Sequence, residues 1–226
     1  LSGSYYSQST VLTNAFVNKF ILFPGFIDEG LKGVVSSHLK RDNQFGFAID
    51  YGFSYFQKFN HRDFGFFITA KDKQYLNTKF SGDFYNLLMY GNKRFAGTTA
   101  AFDGLSLNAL KYQKLGTGLI WTVVDTVGKL GFGFSYLNGE SNSSLNAEKA
   151  RLFTSEDGQY LNFETAMTWN MNDTMNRSRF ANNGFGFSAD LFFEAPFKLK
   201  RRSGKMVVSV EDIGFIKWNS SSRSYS

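Results

Sequence analysis

The chain has 226 residues, of which 27 are Phe, 11 are Tyr and none is Cys. Aromatics reach 18% while charged residues stop at 19%, below the roughly 25% usual in soluble domains. That balance excludes a disordered chain, and the missing Cys excludes disulfide scaffolds, thiolate metal sites and cysteine nucleophiles. The net charge of +6 is scattered, and its densest cluster, Lys198-Leu199-Lys200-Arg201-Arg202, reads as a solvated turn, so nucleic acid is not an expected partner.

Leu1-Ser2-Gly3-Ser4-Tyr5-Tyr6 opens the chain as an extended segment rather than a leader, so a mature or excerpted chain is expected. In the link that follows, Ile27, Leu31, Val34, Val35 and Leu39 recur at helical spacing. Asp28 and Glu29 lie at its start and Lys40 and Arg41 at its end, as the helix dipole favours. The stripe of Leu31, Val35 and Leu39 must be buried, either on the chain's own rim or mouth or against a partner protein. A weaker helical pattern spans Phe84 to Met89.

From Gln44 to Tyr55, Phe45, Phe47, Ile49, Tyr51, Phe53 and Tyr55 fall on one face of a strand, opposite Gly46, Ala48, Asp50, Gly52 and Ser54. Leu130, Phe132, Phe134 and Tyr136 oppose Gly131, Gly133 and Ser135. Leu161, Phe163, Met167 and Trp169 oppose Asn162, Glu164, Ala166 and Thr168. Phe185, Phe187 and Leu191 oppose Gly186, Ser188 and Asp190, with Phe192 as an exception. The expected strands are 1–6, 43–56, 64–71, 104–122, 130–138, 147–154, 159–169, 184–194 and 205–218.

One face is large and apolar; the other is small and polar. That pattern fits an antiparallel transmembrane β-barrel, with the large face on lipid and the small face on the interior. Short links at 57–63, 123–129, 155–158 and 195–204 alternate with longer ones at 7–42, 72–103, 139–146 and 170–183. Barrels of the outer membrane alternate in this way, which predicts 139–146 and 170–183 at the cell surface.

The runs Leu12-Thr13-Asn14 with Phe16, Gly116-Thr117-Gly118, Gly131 to Gly139, Gly184 to Asp190 and Val210-Glu211-Asp212-Ile213-Gly214-Phe215 to Trp218 resemble a Bacteroidota outer-membrane β-barrel family of unknown function, in the general style of fatty-acid-transporter-like barrels. The resemblance implies a single barrel domain over 1–226, forming an internal portion of a longer barrel. It implies the bacterial outer membrane as location, with lipid and lipopolysaccharide around it, and no established activity.

Chemistry-bearing motifs are sparse. Gly131-Phe132-Gly133 and Gly184-Phe185-Gly186 lack the third Gly of a dinucleotide fingerprint and open no helix. His38 and His61 stand in different links, with no second ligand at metal spacing. No enzymatic activity, cofactor or metal is therefore expected. Alternation places Asp50, Glu164 and Asp190 on the interior face, where they would line a lumen or pair with inward Lys and Arg. Three functions stay open: a structural or accessory subunit of an outer-membrane insertion or secretion assembly, which the long links favour; a transport barrel for a small or hydrophobic solute; and a membrane-embedded hydrolase.

Overall fold

The computed structural model describes residues 1–59, 63–123, 128–172, 178, 180–199 and 202–226. In chain order the elements are β1 (Ser2–Ser9), α1 (Asn14–Val17), a π-helical turn (Asn18–Leu22), α2 (Glu29–Ser37), β2 (Asp42–Lys58) and β3 (Phe64–Ser81). Then come α3 (Gly82–Tyr90), a 3-10 turn (Asn92–Phe95), β4 (Thr99–Ala101), β5 (Ser106–Val123), β6 (Gly128–Thr154), β7 (Leu161–Met171), β8 (Gly184–Leu199), β9 (Arg202–Trp218) and β10 (Arg223–Tyr225).

The strands form one antiparallel sheet in the order β1-β2-β3-β5-β6, which forks at β6. The first half of β6 (Lys129–Gly139) pairs with β8, which pairs with β9. Its second half (Ser143–Thr154) pairs with β7, and β10 lies beyond. Glu140 marks the fork: the register on β5 jumps from Gly139 to Ser141 there, and Asn172 and Asn183 donate to the Glu140 carbonyl at 3.2 and 2.8 Å. A bulge supplies the bend that lets one strand serve two partners.

The sheet is not closed into a barrel. Among the described residues, β1 has only β2 as a neighbour and β9 only β8. Of the expected antiparallel barrel, or portion of one, the described residues form an open, strongly curled antiparallel sheet. Curling is evident because side chains of β9 meet those of β3 across the concave face, three strands being skipped between them.

Two element boundaries are corrected. β3 continues to Ser81, and the polar stretch 139–146, expected as a surface link, is the middle of the 27-residue β6. Polarity there reports the solvent beside the strand, whereas the backbone of Ser143 to Asn146 is held by β5 on one side and β7 on the other. Of the link 170–183, residues 173–177 and 179 lie outside the described ones, as do His61 and most of 123–129.

Both expected helices form. Asp28 caps α2 by accepting the Leu31 N–H at 2.8 Å, and Ser81 caps α3 by accepting the Phe84 N–H at 3.1 Å. Neither lies in a mouth. They pack with α1 on the convex face of β2 and β3, where Phe16, Val35, Phe45, Phe80 and Tyr85 form a core. Val35 is fully buried, and Leu31 and Leu39 pack on the same cluster, so the stripe read from the sequence is turned into the chain itself.

Candidate functional site

Burial on β6 is the reverse of a soluble strand. Phe132, Phe134 and Tyr136 are 47%, 53% and 38% exposed, while Gly131, Gly133 and Ser135 between them are buried. The register extends this across the sheet. Phe132 stands beside Leu119 and Leu191, and Phe134 beside Thr117 and Ala189. Tyr136 stands beside Leu115 and Phe187. With Phe53, Tyr55, Ile68, Val210, Ile213 and Phe215 they make a convex apolar belt. From the Leu130 row to the Tyr136 row it covers about 20 Å along the strands at ~3.3 Å per residue. On its upper margin the convex face turns polar, with Asp72, Gln113 and Asn138 in one row.

Glycines on the concave face make room for aromatic rings. Phe67 lies over Gly118 and Gly133, and Phe192 over Gly131, so closely that a Cβ at Gly131 would overlap the Phe192 ring. Phe67 and Phe192 meet edge to face at 6.4 Å. This gives the exceptional Phe192 a physical reason: it fills space the small residues leave.

The centre of the concave face is an ion cluster. Lys114 lies 2.7 Å from Asp190 and 2.8 Å from Asp212; Lys73 lies 2.5 Å from Asp212, 3.4 Å from Glu211 and 3.4 Å from Asp50. Lys71 reaches Asp50 at 3.2 Å and Glu211 at 3.8 Å. The Tyr112 hydroxyl donates to Asp212 at 3.0 Å, and the Asp212 N–H donates to Asp190 at 2.8 Å. Lys73 and Lys114 are almost wholly buried, so these charges are held by one another rather than by water.

The cluster separates two hollows on the concave face. One, of about 620 Å³, lies toward the short links and has apolar walls including Phe56, Phe67, Ile120 and Phe192, over a floor of Thr69, Lys71, Lys114, Asp190 and Glu211. The other, of about 490 Å³, lies toward the helices and is lined by polar groups such as Gln8, Gln44, Asn77 and Asn108.

Of the three carboxylates singled out from the sequence, Asp50 and Asp190 meet in this cluster and Glu164 does not. Glu164 is on β7, beyond the fork, exposed and paired with Lys149. Sequence reasoning missed Lys71, Lys73, Tyr112, Lys114, Glu211 and Asp212. A signal was present: continuing the alternation of β3 beyond residue 71 sets Lys71 and Lys73 on the face of Thr69. His38 closes α2, its Nδ1 lying 2.8 Å from the Val34 carbonyl. No helix among the described residues is long and apolar enough to cross a membrane, which says nothing of strands that cross. No group of three or more His, Asp or Glu side chains among them is placed to hold a metal.

Residues 26–226 match the family of unknown function DUF5723. No curated protein and no solved structure matches the chain.

Proposed function

We propose, for a chain that belongs to the DUF5723 family of unknown function, the role of an integral β-sheet protein of the bacterial outer membrane, serving as a structural or accessory subunit of a larger assembly there. The observation that carries the reading is the inverted burial of β6 and its neighbours. A contiguous belt of Phe, Tyr, Leu and Val facing outward, backed by buried Gly and Ser, is stable against hydrocarbon and unstable against water. The Gly-aromatic runs, through their resemblance to Bacteroidota barrels, support an outer membrane of that kind as the location.

The ion cluster favours a scaffold over an open conduit, because it fills the middle of the concave face between the two hollows. On the helical side, Phe23, Phe26, Val34 and Leu88 remain exposed after α2 and α3 have buried their inner stripes, and they offer contact area to a neighbouring protein.

Single cysteines at Phe132, Phe134 and Phe187 in membrane-reconstituted protein test the embedding. We expect them to resist a membrane-impermeant maleimide while a cysteine at Tyr160, in the link after β6, labels quickly. Rapid labelling of the three belt positions overturns the reading. The same liposomes should show no steady ion conductance; conductance would favour the solute-transport alternative.

A further inference from the structure

We infer that the 620 Å³ hollow on the concave face is a binding site for a small organic ammonium ion with an apolar body. The inference rests on the concave face and does not depend on the membrane reading.

The least compensated charge on the floor sets the sign of the ligand. The hollow is lined by Lys58, Lys71, Lys114 and Lys129 and by Asp190, Glu194 and Glu211. Lys71 and Lys114 are held in the central cluster by Asp50, Asp190 and Asp212, Lys129 lies 3.4 Å from Glu194, and Lys58 stands at the mouth, so on the floor Glu211 is the carboxylate left without a close partner. Its contacts to Lys73 and Lys71 are long, 3.4 and 3.8 Å, its side chain is about half exposed, and it lines the hollow. Asp50, Asp190 and Asp212 are each nearer a lysine and more deeply buried.

A second observation points to a polar group at the same floor. Thr69 lines the hollow, is nine-tenths buried, and its hydroxyl has no hydrogen-bond partner. The hydroxyls of Ser135 and Ser188, two and three strands along in the same cross-strand row, are buried and unpartnered too. Buried hydroxyls normally find a partner, so Thr69, which lines the same hollow as the half-satisfied Glu211, marks a place where a polar ligand completes the set. The walls fit the rest of such a molecule: Phe56, Phe67 and Phe192 present aromatic surface, which attracts a cation as well as an apolar group. The volume lies within the ~300–1,000 Å³ of small-molecule sites.

Calorimetric titration of the full chain in a non-ionic detergent, with benzylammonium and with phenylacetate as probes, tests this. Saturable binding of the ammonium, clearly tighter than that of the carboxylate, is expected. Glu211→Gln should weaken it about tenfold or more, the usual loss for one charge-assisted contact. Ile120→Trp, which fills the hollow without touching a charge, should abolish it. Absence of saturable ammonium binding, phenylacetate binding as tightly or more tightly through the mouth lysines Lys58 and Lys129, or an unchanged affinity in Glu211→Gln each overturns the inference. Wild-type protein alone decides the sign of the ligand charge, so a variant that fails to fold leaves the test standing.

Discussion

Asp212 has φ of 59°, in the left-handed region that side-chain-bearing residues seldom occupy. It sits where the β8–β9 register shifts between Ala189 and Leu191, so that Asp190 faces two residues of β9. The bulge turns both Glu211 and Asp212 toward the lysines, an orientation that a regular strand forbids to adjacent residues. Strain of this kind costs on the order of 1 kcal/mol and is offset by the two ammonium groups and the Tyr112 hydroxyl that converge on the Asp212 carboxylate. Because the cluster is buried, breaking it should cost more than any surface pair. Lys114→Met should lower stability by about 3–5 kcal/mol, since it strands Asp190 without an ammonium partner. Adding Asp190→Asn should restore part of that loss, because Asn keeps an oxygen for the Asp212 N–H and removes the orphan charge. Urea unfolding of the two variants checks both; a stability unchanged in Lys114→Met would show that the cluster contributes nothing.

At the scale of elements, α2 shows how local signals and tertiary packing divide the work. Asp28 caps the helix, accepting the Leu31 N–H at 2.8 Å and the Lys19 ammonium at 3.3 Å. The Leu31 N–H first, and the lysine after it, hold the Asp28 carboxyl below its ordinary value. A carboxyl depressed in the folded state contributes stability above its unfolded pKa and loses it as pH falls through the folded one. Asp28→Ser keeps a capping oxygen but removes the charge. The advantage of the wild type over Asp28→Ser in thermal unfolding should therefore be present at pH 7 and shrink below roughly pH 4. A gap that is the same at both pH values would remove the charge from the account. The apolar stripe of α2 needs no charge: Val35 enters a core with Phe16 and Phe45, from elements on either side of it in the sequence.

At the scale of the whole molecule, the fork at Glu140 divides the sheet into two parts with different surroundings. Below it, β2, β3, β5, the first half of β6, β8 and β9 carry the belt. Above it, the second half of β6 with β7 and β10 has exposed residues on both faces of β7, polar ones among them. A bilayer should distinguish the two. Phe132→Arg, in the middle of the belt, should cost roughly 2–4 kcal/mol in lipid, and Phe163→Arg, on β7, about 0–1 kcal/mol. Equilibrium unfolding from liposomes measures both. Equal costs would show that the belt has no privileged contact with hydrocarbon.

Much of this was legible in the sequence because side-chain alternation is a local property of a strand. The runs at Gln44 to Tyr55 and Leu130 to Tyr136 sorted apolar from small residues correctly, Asp50 and Asp190 fell on the concave face, and Asp28 announced its helix. What alternation cannot carry is which strands meet. Glu164 alternates like Asp190 but belongs to the other branch of the fork, because the bulge at Glu140 diverts β6 from β8 to β7. Lys73 and Asp212 are far apart in the chain, and alternation carries no sign of their meeting. Only the curl of the sheet brings them to 2.5 Å, and only the bulge opposite Asp190 points Asp212 inward. Periodicity follows from each residue's own backbone, whereas register, curl and bulges are set by neighbouring strands, so those were decided by the tertiary structure alone.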